Sequence, residues 1–342
     1  MFAQFHLRVP AIQLQKNVPE HENSGRDHQI YFGYLLDVAT KKEVQMSDHI
    51  LAHNNRFYDL IVPNSELTKI AGGALWTEGP VYFAQGDYFL WSDIPNNKVY
   101  QWAEGMGSRI FDYEANNSNG HTTDTQGRLL SCEHLTRRVT RREHDGSTTI
   151  IADSHDDKRL NSPNDLVVKS DDSIWFTDPS YGILSDYEGK KSPQEQAGCF
   201  VYRVESAGAE PTIVADDMVK PNGLAFSRDE SRLYVSDTGQ SHDPDGPHHI
   251  RVFDVSDSTL SGGDVFVDIP HGLSDGFRVD TLDNIWTSTG RGVSCYAPDG
   301  ELLGEILVPE VVSNLCFGGP KMNRMMITAT TSVYTIYLGV TG

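Results

Sequence analysis

Basic residues are scarce in this chain. Lys and Arg number 28 against 48 Asp and Glu, a formal net charge of −20 over 342 residues. Such a surface repels phosphate backbones and anionic membranes, which argues against nucleic-acid and membrane partners. Long apolar runs are missing too: stretches such as YFGYLLDVA (31–39) fall far short of the roughly 20 residues that span a bilayer. The N-terminus lacks a basic-then-apolar signal pattern, so a cytoplasmic location is expected. The four cysteines, Cys132, Cys199, Cys295 and Cys316, lie far apart with no CxxC spacing. A structural zinc site or disulfide framework finds no support in that spacing, and buried free thiols are expected. Helix-period segments between strands, which a parallel α/β sheet requires, are absent as well.

What the chain does contain is a repeat. EGPVYFAQGDYFLWSD from Glu78, NGHTTDTQGRLLSCE from Asn119, NDLVVKSDDSIWFTD from Asn164, NGLAFSRDESRLYVSD from Asn222, DGFRVDTLDNIWTST from Asp275 and NLCFGGPKMNRMMITAT from Asn314 share one plan. A polar residue opens a short apolar-rich strand, a turn follows, and a second strand ends near Ser, Thr or an acid. Each copy is followed by a third strand, as in KVYQW (98–102) or FVYRV (200–204). The starts step by 41, 45, 58, 53 and 39 residues, the size of a four-stranded blade with variable loops. The expected fold is all-β: a six-bladed β-propeller with a central metal site. An open ring would expose sheet edges, and SELTKIAGGALW (65–76) is placed to supply the outer strand of the last blade. Residues 1–63 have no role in this count and are assigned to an N-terminal extension or arm, with Met46 a natural start inside it. The propeller is assigned to 64–342.

The inner strand opens each blade of a propeller, so the first residues of the six units should converge on the axis. That column reads Glu78, Asn119, Asn164, Asn222, Asp275, Asn314. Asn and Asp are common in turns because they tolerate left-handed backbone, so one such residue alone would be structural. Six in register, each with a side-chain oxygen acceptor, are the ligand chemistry of a hard cation, and two carboxylates with neutral amides balance a divalent charge. One divalent cation is expected: Ca²⁺ first, with Mg²⁺ or Mn²⁺ as alternatives.

With TEGPVYF, RLNSPNDLVVKSDDSIWFTDPSYGI, KPNGLAFSRDESRLYVSDT and DGFRVDTLDNIW on the page, residues 64–338 resemble the gluconolactonase/regucalcin family of six-bladed propellers, nearest its gluconolactonase branch. The resemblance implies a metal held by Glu78, Asn164, Asn222 and Asp275. It also implies hydrolysis of a lactone such as glucono-1,5-lactone, with Asp275 as general base. Asn119 and Asn314 are expected beside the site, contacting substrate or water. Arg159 is a further expected substrate contact. Regucalcin's substrate-binding Glu has no counterpart in the DPSYGI segment, where Tyr181 stands instead. A metal-bound carboxylate is a weak base, because the cation favours its ionised form. The rivals are a broad lactone or organophosphate hydrolase resembling diisopropylfluorophosphatase, and a non-catalytic calcium- or sugar-binding propeller.

Other features compete for a role. GLSDG (272–276) matches a nucleophile elbow around Ser274, but a strand pattern follows it where the elbow needs a helix. QSHDPDGPHH (240–249) reads as a turn-rich lid over the channel mouth, with His242 touching substrate. His121, His134 and Glu133 in the second unit are candidates to face the channel, against a structural role of equal weight. Asp93, Asp178 and Asp237 close their second strands; Asp178 and Asp237 are expected to support the site or to accept blade-to-blade hydrogen bonds. SDYEGKKSPQEQAG (185–198) reads as a surface insertion.

Overall fold

The computed structural model describes residues 47–342. Six antiparallel sheets follow one another along the chain as six propeller blades. Blade 1 is built from Thr77–Phe83, Tyr88–Asp93, Lys98–Ala103 and Gly107–Asp112, and blades 2, 3 and 4 repeat the plan with inner strands Ser118–Thr123, Leu166–Val168 and Pro221–Phe226. Blade 5 opens with Phe277–Val279 and blade 6 with Val312–Gly318. The outer strand of blade 6 is Thr68–Gly72, which pairs antiparallel with Ser332–Tyr337 and closes the ring as the sequence led us to expect. Among the described residues no helix is long and apolar enough to cross a membrane.

Three devices bring the column residues to the axis. The first is a slip in strand register at the column itself, between Glu78 and Val81, Ser118 and His121, Pro221 and Leu224, and Val312 and Asn314. A bulge of this kind re-aims a side chain that the regular pleat would send into the sheet face. The second is the glycine that follows most column residues. A Cβ on Gly79 would lie 2.0 Å from the Asn119 carbonyl oxygen, and one on Gly223 would lie 2.3 Å from that of Asp275. Only glycine lets neighbouring inner strands approach so closely. The third is a hydroxyl on each clamping strand. Ser92 donates to the Asn119 carbonyl (3.0 Å), Thr177 to that of Asn222 (2.7 Å) and Ser236 to that of Asp275 (3.1 Å). Ser313 makes a like bond from blade 6 to blade 1, donating to the Thr77 carbonyl at 2.6 Å.

The acids beside those hydroxyls have another task. Asp93 accepts the backbone N–H groups of Leu75 and Trp76, Asp178 those of Asn161 and Ser162, and Asp237 those of Val219 and Lys220. Each pair lies two and three residues before a column residue, Glu78, Asn164 or Asn222. These aspartates therefore pin the loop that leads into their own inner strand; they are not blade-to-blade acceptors.

The assignment of residues 1–63 to a separate arm does not hold for 47–63. Ile50–Ala52 adds a fifth strand to blade 5 by pairing with Leu302–Leu307. Phe57, Leu60 and Ile61 are buried in the core between blades 5 and 6, with the Phe57 ring 5.8 Å from Trp286. The expected start at Met46 and the segment before it lie outside the described residues. Phe57→Ala should therefore cost about 3–5 kcal/mol, measured by urea unfolding. An unchanged midpoint would show that residues 47–63 are dispensable to the propeller.

Candidate active site

Where the inner strands converge, a cavity of about 370 Å³ opens, and Glu78, Asn119, Asn164, Asn222 and Asp275 all line it. The sequence separates these residues by up to 197 positions, and five different blades deliver them. Asn314, the sixth of the column, is buried beneath the others and does not line the cavity. Its amide Nδ2 donates to Glu78 Oε2 at 3.0 Å, while its Oδ1 accepts the Leu315 N–H at 2.8 Å. It orients Glu78 from outside the cavity lining.

Glu78 Oε2 also accepts the Gly79 N–H at 2.5 Å. Both bonds thus fall on one oxygen, and Oε1 has no protein donor among the described residues. Burial holds the Glu78 carboxyl well above the usual carboxylate range, and the negative charges of Asp275 and Asp165 add to the effect. Asp275 is raised in the same direction by burial and then by Glu188 and Asp165, against a hydrogen bond from Asn222 that pulls it down. In this group of acids Asp165 has a cationic partner, Arg278 at 3.6 Å. Glu78 and Asp275 therefore share a cavity with three amide side chains, and no Lys, Arg or His is among the described residues that line it. Oxygen donors in this arrangement are what a hard divalent cation takes, and its charge would relieve their repulsion.

Blades 3 and 4 supply the rim. The Tyr181 hydroxyl is held by Thr238 Oγ1 at 2.7 Å and Ser241 Oγ at 2.8 Å, and all three residues line the cavity. The Lys220 ammonium lies 5.4 Å from the Tyr181 ring centre. The segment 185–198 is largely exposed, as a surface insertion should be, but it also packs on the site. It folds back on the short helix Tyr181–Leu184, with Lys190 N–H donating to the Gly182 carbonyl and Ser192 N–H to that of Ile183, and it places Glu188 in the cavity wall. Nothing in the local pattern of SDYEGK distinguishes this glutamate from its exposed neighbours.

His134 joins that segment to the column. Its Nδ1 meets the Glu188 carbonyl oxygen at 3.1 Å and its Nε2 meets Asn119 Nδ2 at 3.4 Å. A carbonyl only accepts, so Nδ1 carries the proton and Nε2 is the acceptor. The Asn119 amide must then point its NH₂ at the imidazole, which leaves Oδ1 for the cavity.

Residues 76–331 match the model of the SMP-30/Gluconolactonase/LRE-like region. The chain belongs to this family. It is 30% identical to a gluconolactonase of Zymomonas mobilis over 298 residues, covering 80% of this chain and 81% of that protein. A pentonolactonase of Haloferax volcanii is 27% identical over 260 residues, 73% and 80% of the two chains. Among solved structures, a gluconolactonase of Xanthomonas campestris superposes with a TM-score of 0.80 at 35% identity, covering 85% of this chain and 95% of that one.

Within this gluconolactonase-family propeller, several residues expected at the substrate lie elsewhere. His121 is buried between blades 1 and 2, its two ring nitrogens 2.8 Å from Ser92 Oγ and 2.8 Å from Ser131 Oγ. It ties two blades together. Glu133 is taken up by Arg138 at 2.7 Å and Thr140 at 2.9 Å. Arg159 is exposed on the ribbon of Ser154–His155 and Lys158–Arg159, where its guanidinium donates to the Thr136 carbonyl at 2.6 Å. His242 packs on Tyr181 with ring centres 5.6 Å apart but does not line the cavity. Ser274 is buried, shares a hydrogen bond with Thr287 Oγ1 at 2.7 Å and leads into a strand, so the elbow reading fails as anticipated.

Burial lowers both His121 and His134 from 6.5 to about 4. Their neutral rings stabilise the fold fully above pH 6.5. As pH falls from there through about 4, the unfolded chain takes up protons that the folded one refuses, and up to roughly 3 kcal/mol per imidazole is lost. Urea unfolding at pH 7.5 and 4.5 should show that loss, with a smaller drop in His121→Asn. Equal stability at the two pH values would mean that neither ring is protected.

Proposed function

We propose that this protein is a metal-assisted lactone hydrolase that opens aldonolactones such as glucono-1,5-lactone. The observation that carries the reading is the meeting of Glu78, Asn164, Asn222 and Asp275 around one cavity, with no ion pair to either carboxylate among the described residues. Those four residues would hold the cation, with Ca²⁺ the first choice for an all-oxygen set. When bound, the cation supplies Lewis-acid polarisation of the lactone carbonyl and offsets the charge that develops on its oxygen.

The remaining work falls to the side chains. Asp275, half-buried at the cavity wall, accepts a proton from the attacking water. Burial and the nearby Glu188 and Asp165 raise its proton affinity, which opposes the weakening that a cation imposes on a bound carboxylate and brings it toward useful basicity. The water oxygen adds to the carbonyl carbon, the acyl C–O bond breaks, and the ring oxygen leaves with a proton as the hydroxyl of a hydroxy acid. Asn119 Oδ1 and the Glu188 carboxylate would accept hydrogen bonds from substrate hydroxyls, with the Asn119 amide held by His134.

Proton release from glucono-1,5-lactone in weakly buffered solution tests the reading. Chelation should abolish turnover and Ca²⁺, Mg²⁺, Mn²⁺ or Zn²⁺ should restore it. Asp275→Asn should lower kcat by about 10²–10⁴-fold with unchanged thermal unfolding. Full activity after chelation would remove the metal from the mechanism, and an unimpaired variant would remove the base.

A further inference from the structure

The cavity has two unlike sides. Tyr181, Glu188, Thr238 and Ser241 come from blades 3 and 4 and are polar. Across the ring stand blades 6 and 1, which contribute Trp76, Ile94, Val311 and Val312, with Leu273 on the loop entering blade 5. Backbone bonds hold this apolar side together: Ile94 N–H donates to the Trp76 carbonyl at 3.1 Å and Thr77 N–H to that of Thr330 at 2.9 Å. The Thr330 hydroxyl in turn donates to the Val311 carbonyl at 3.1 Å. The wall runs out towards solvent, where Val311 is 47% exposed. Among the described residues that form it, only Trp76 has a side-chain hydrogen-bonding group, its indole N–H.

An aldonolactone carries a hydroxyl on each free carbon. Whichever edge faces Val311, Val312 and Ile94 must give up water without a replacement partner, a cost of about 1–3 kcal/mol per hydroxyl. A hydrocarbon substituent on that edge gives up no hydrogen bond and removes Val311 from water. We propose that lactones bearing an alkyl substituent on the carbon that carries the ring oxygen are substrates of this site, and better ones than fully hydroxylated aldonolactones. The inference rests on the lactone-hydrolase reading above and specifies its substrate class. The reaction balances as before: water adds across the acyl C–O bond and a single hydroxy acid leaves, with no co-reactant.

The test is a homologous series at saturating metal: glucono-1,5-lactone, the unsubstituted six-membered lactone, and its methyl, propyl and pentyl derivatives at the ring-oxygen carbon. Each buried methylene should raise kcat/KM about fourfold, mainly through KM, at least as far as propyl. Val311→Ser and Leu273→Ser should each reduce the ratio of pentyl to unsubstituted kcat/KM several-fold. Val311 already faces solvent, so its variant should fold even if that of Leu273 does not. A flat series alongside good turnover of glucono-1,5-lactone would overturn the substrate class while leaving the lactonase intact. Inertness towards every lactone, glucono-1,5-lactone included, would overturn both.

Discussion

The close approach of neighbouring inner strands is the constraint on which the site depends. At Gly79 and Gly223 the next blade's backbone occupies the volume of a β-carbon, and Ser92, Thr177 and Ser236 fasten the approaching carbonyls. The carbonyls so fastened belong to Asn119, Asn222 and Asp275, so the bonds that close the ring also set the height and direction of the cavity side chains. Structure and site share the same atoms. Asp93, Asp178 and Asp237 add the loops just upstream to this arrangement.

Such rigidity permits an unfavourable cluster of charge. Burial raises the proton affinity of Glu78, Asp275 and Asp165; Asp275 and Asp165 add to it at Glu78, Glu188 and Asp165 add to it at Asp275, and Arg278 is the cationic neighbour of Asp165. Uncompensated buried carboxylates persist only where the surrounding structure leaves them no room to separate. The same repulsion is what a cation would relieve, and the direction of each shift follows from burial first and neighbouring charge second.

Glu188 illustrates how function reaches the site by another route. The repeat that defines the blades ends at Asp178, and the following segment breaks it. That break allows a carboxylate and the Tyr181 ring to cover one side of the cavity, linked to the column through His134 and Asn119. Insertions of this kind are free to vary without disturbing the ring. The apolar side, by contrast, comes from a loop within blade 1 and from the connections between blades 4 and 5, 5 and 6, and 6 and 1, so the two walls answer to different segments of the chain.

The blade count, the closing strand and the inward column were legible because each rests on local chemistry repeated in register: alternating apolar residues, turn residues at fixed offsets, and an oxygen-bearing side chain before glycine. The places of His121, Glu133 and Arg159 were not legible, because a polar residue near the column has several neighbours to bond and only packing selects among them. Phe57 and Glu188 were missed for a related reason. Neither lies in the repeat, and each gained its role from a surface formed by blades distant in sequence. The sequence by itself determined a six-fold β repeat whose polar residues converge, since strand periodicity and turn geometry are properties of short segments. Tertiary structure alone decided which acids share a cavity without a partner and which wall stays apolar, since burial and charge proximity exist only between segments brought together by folding.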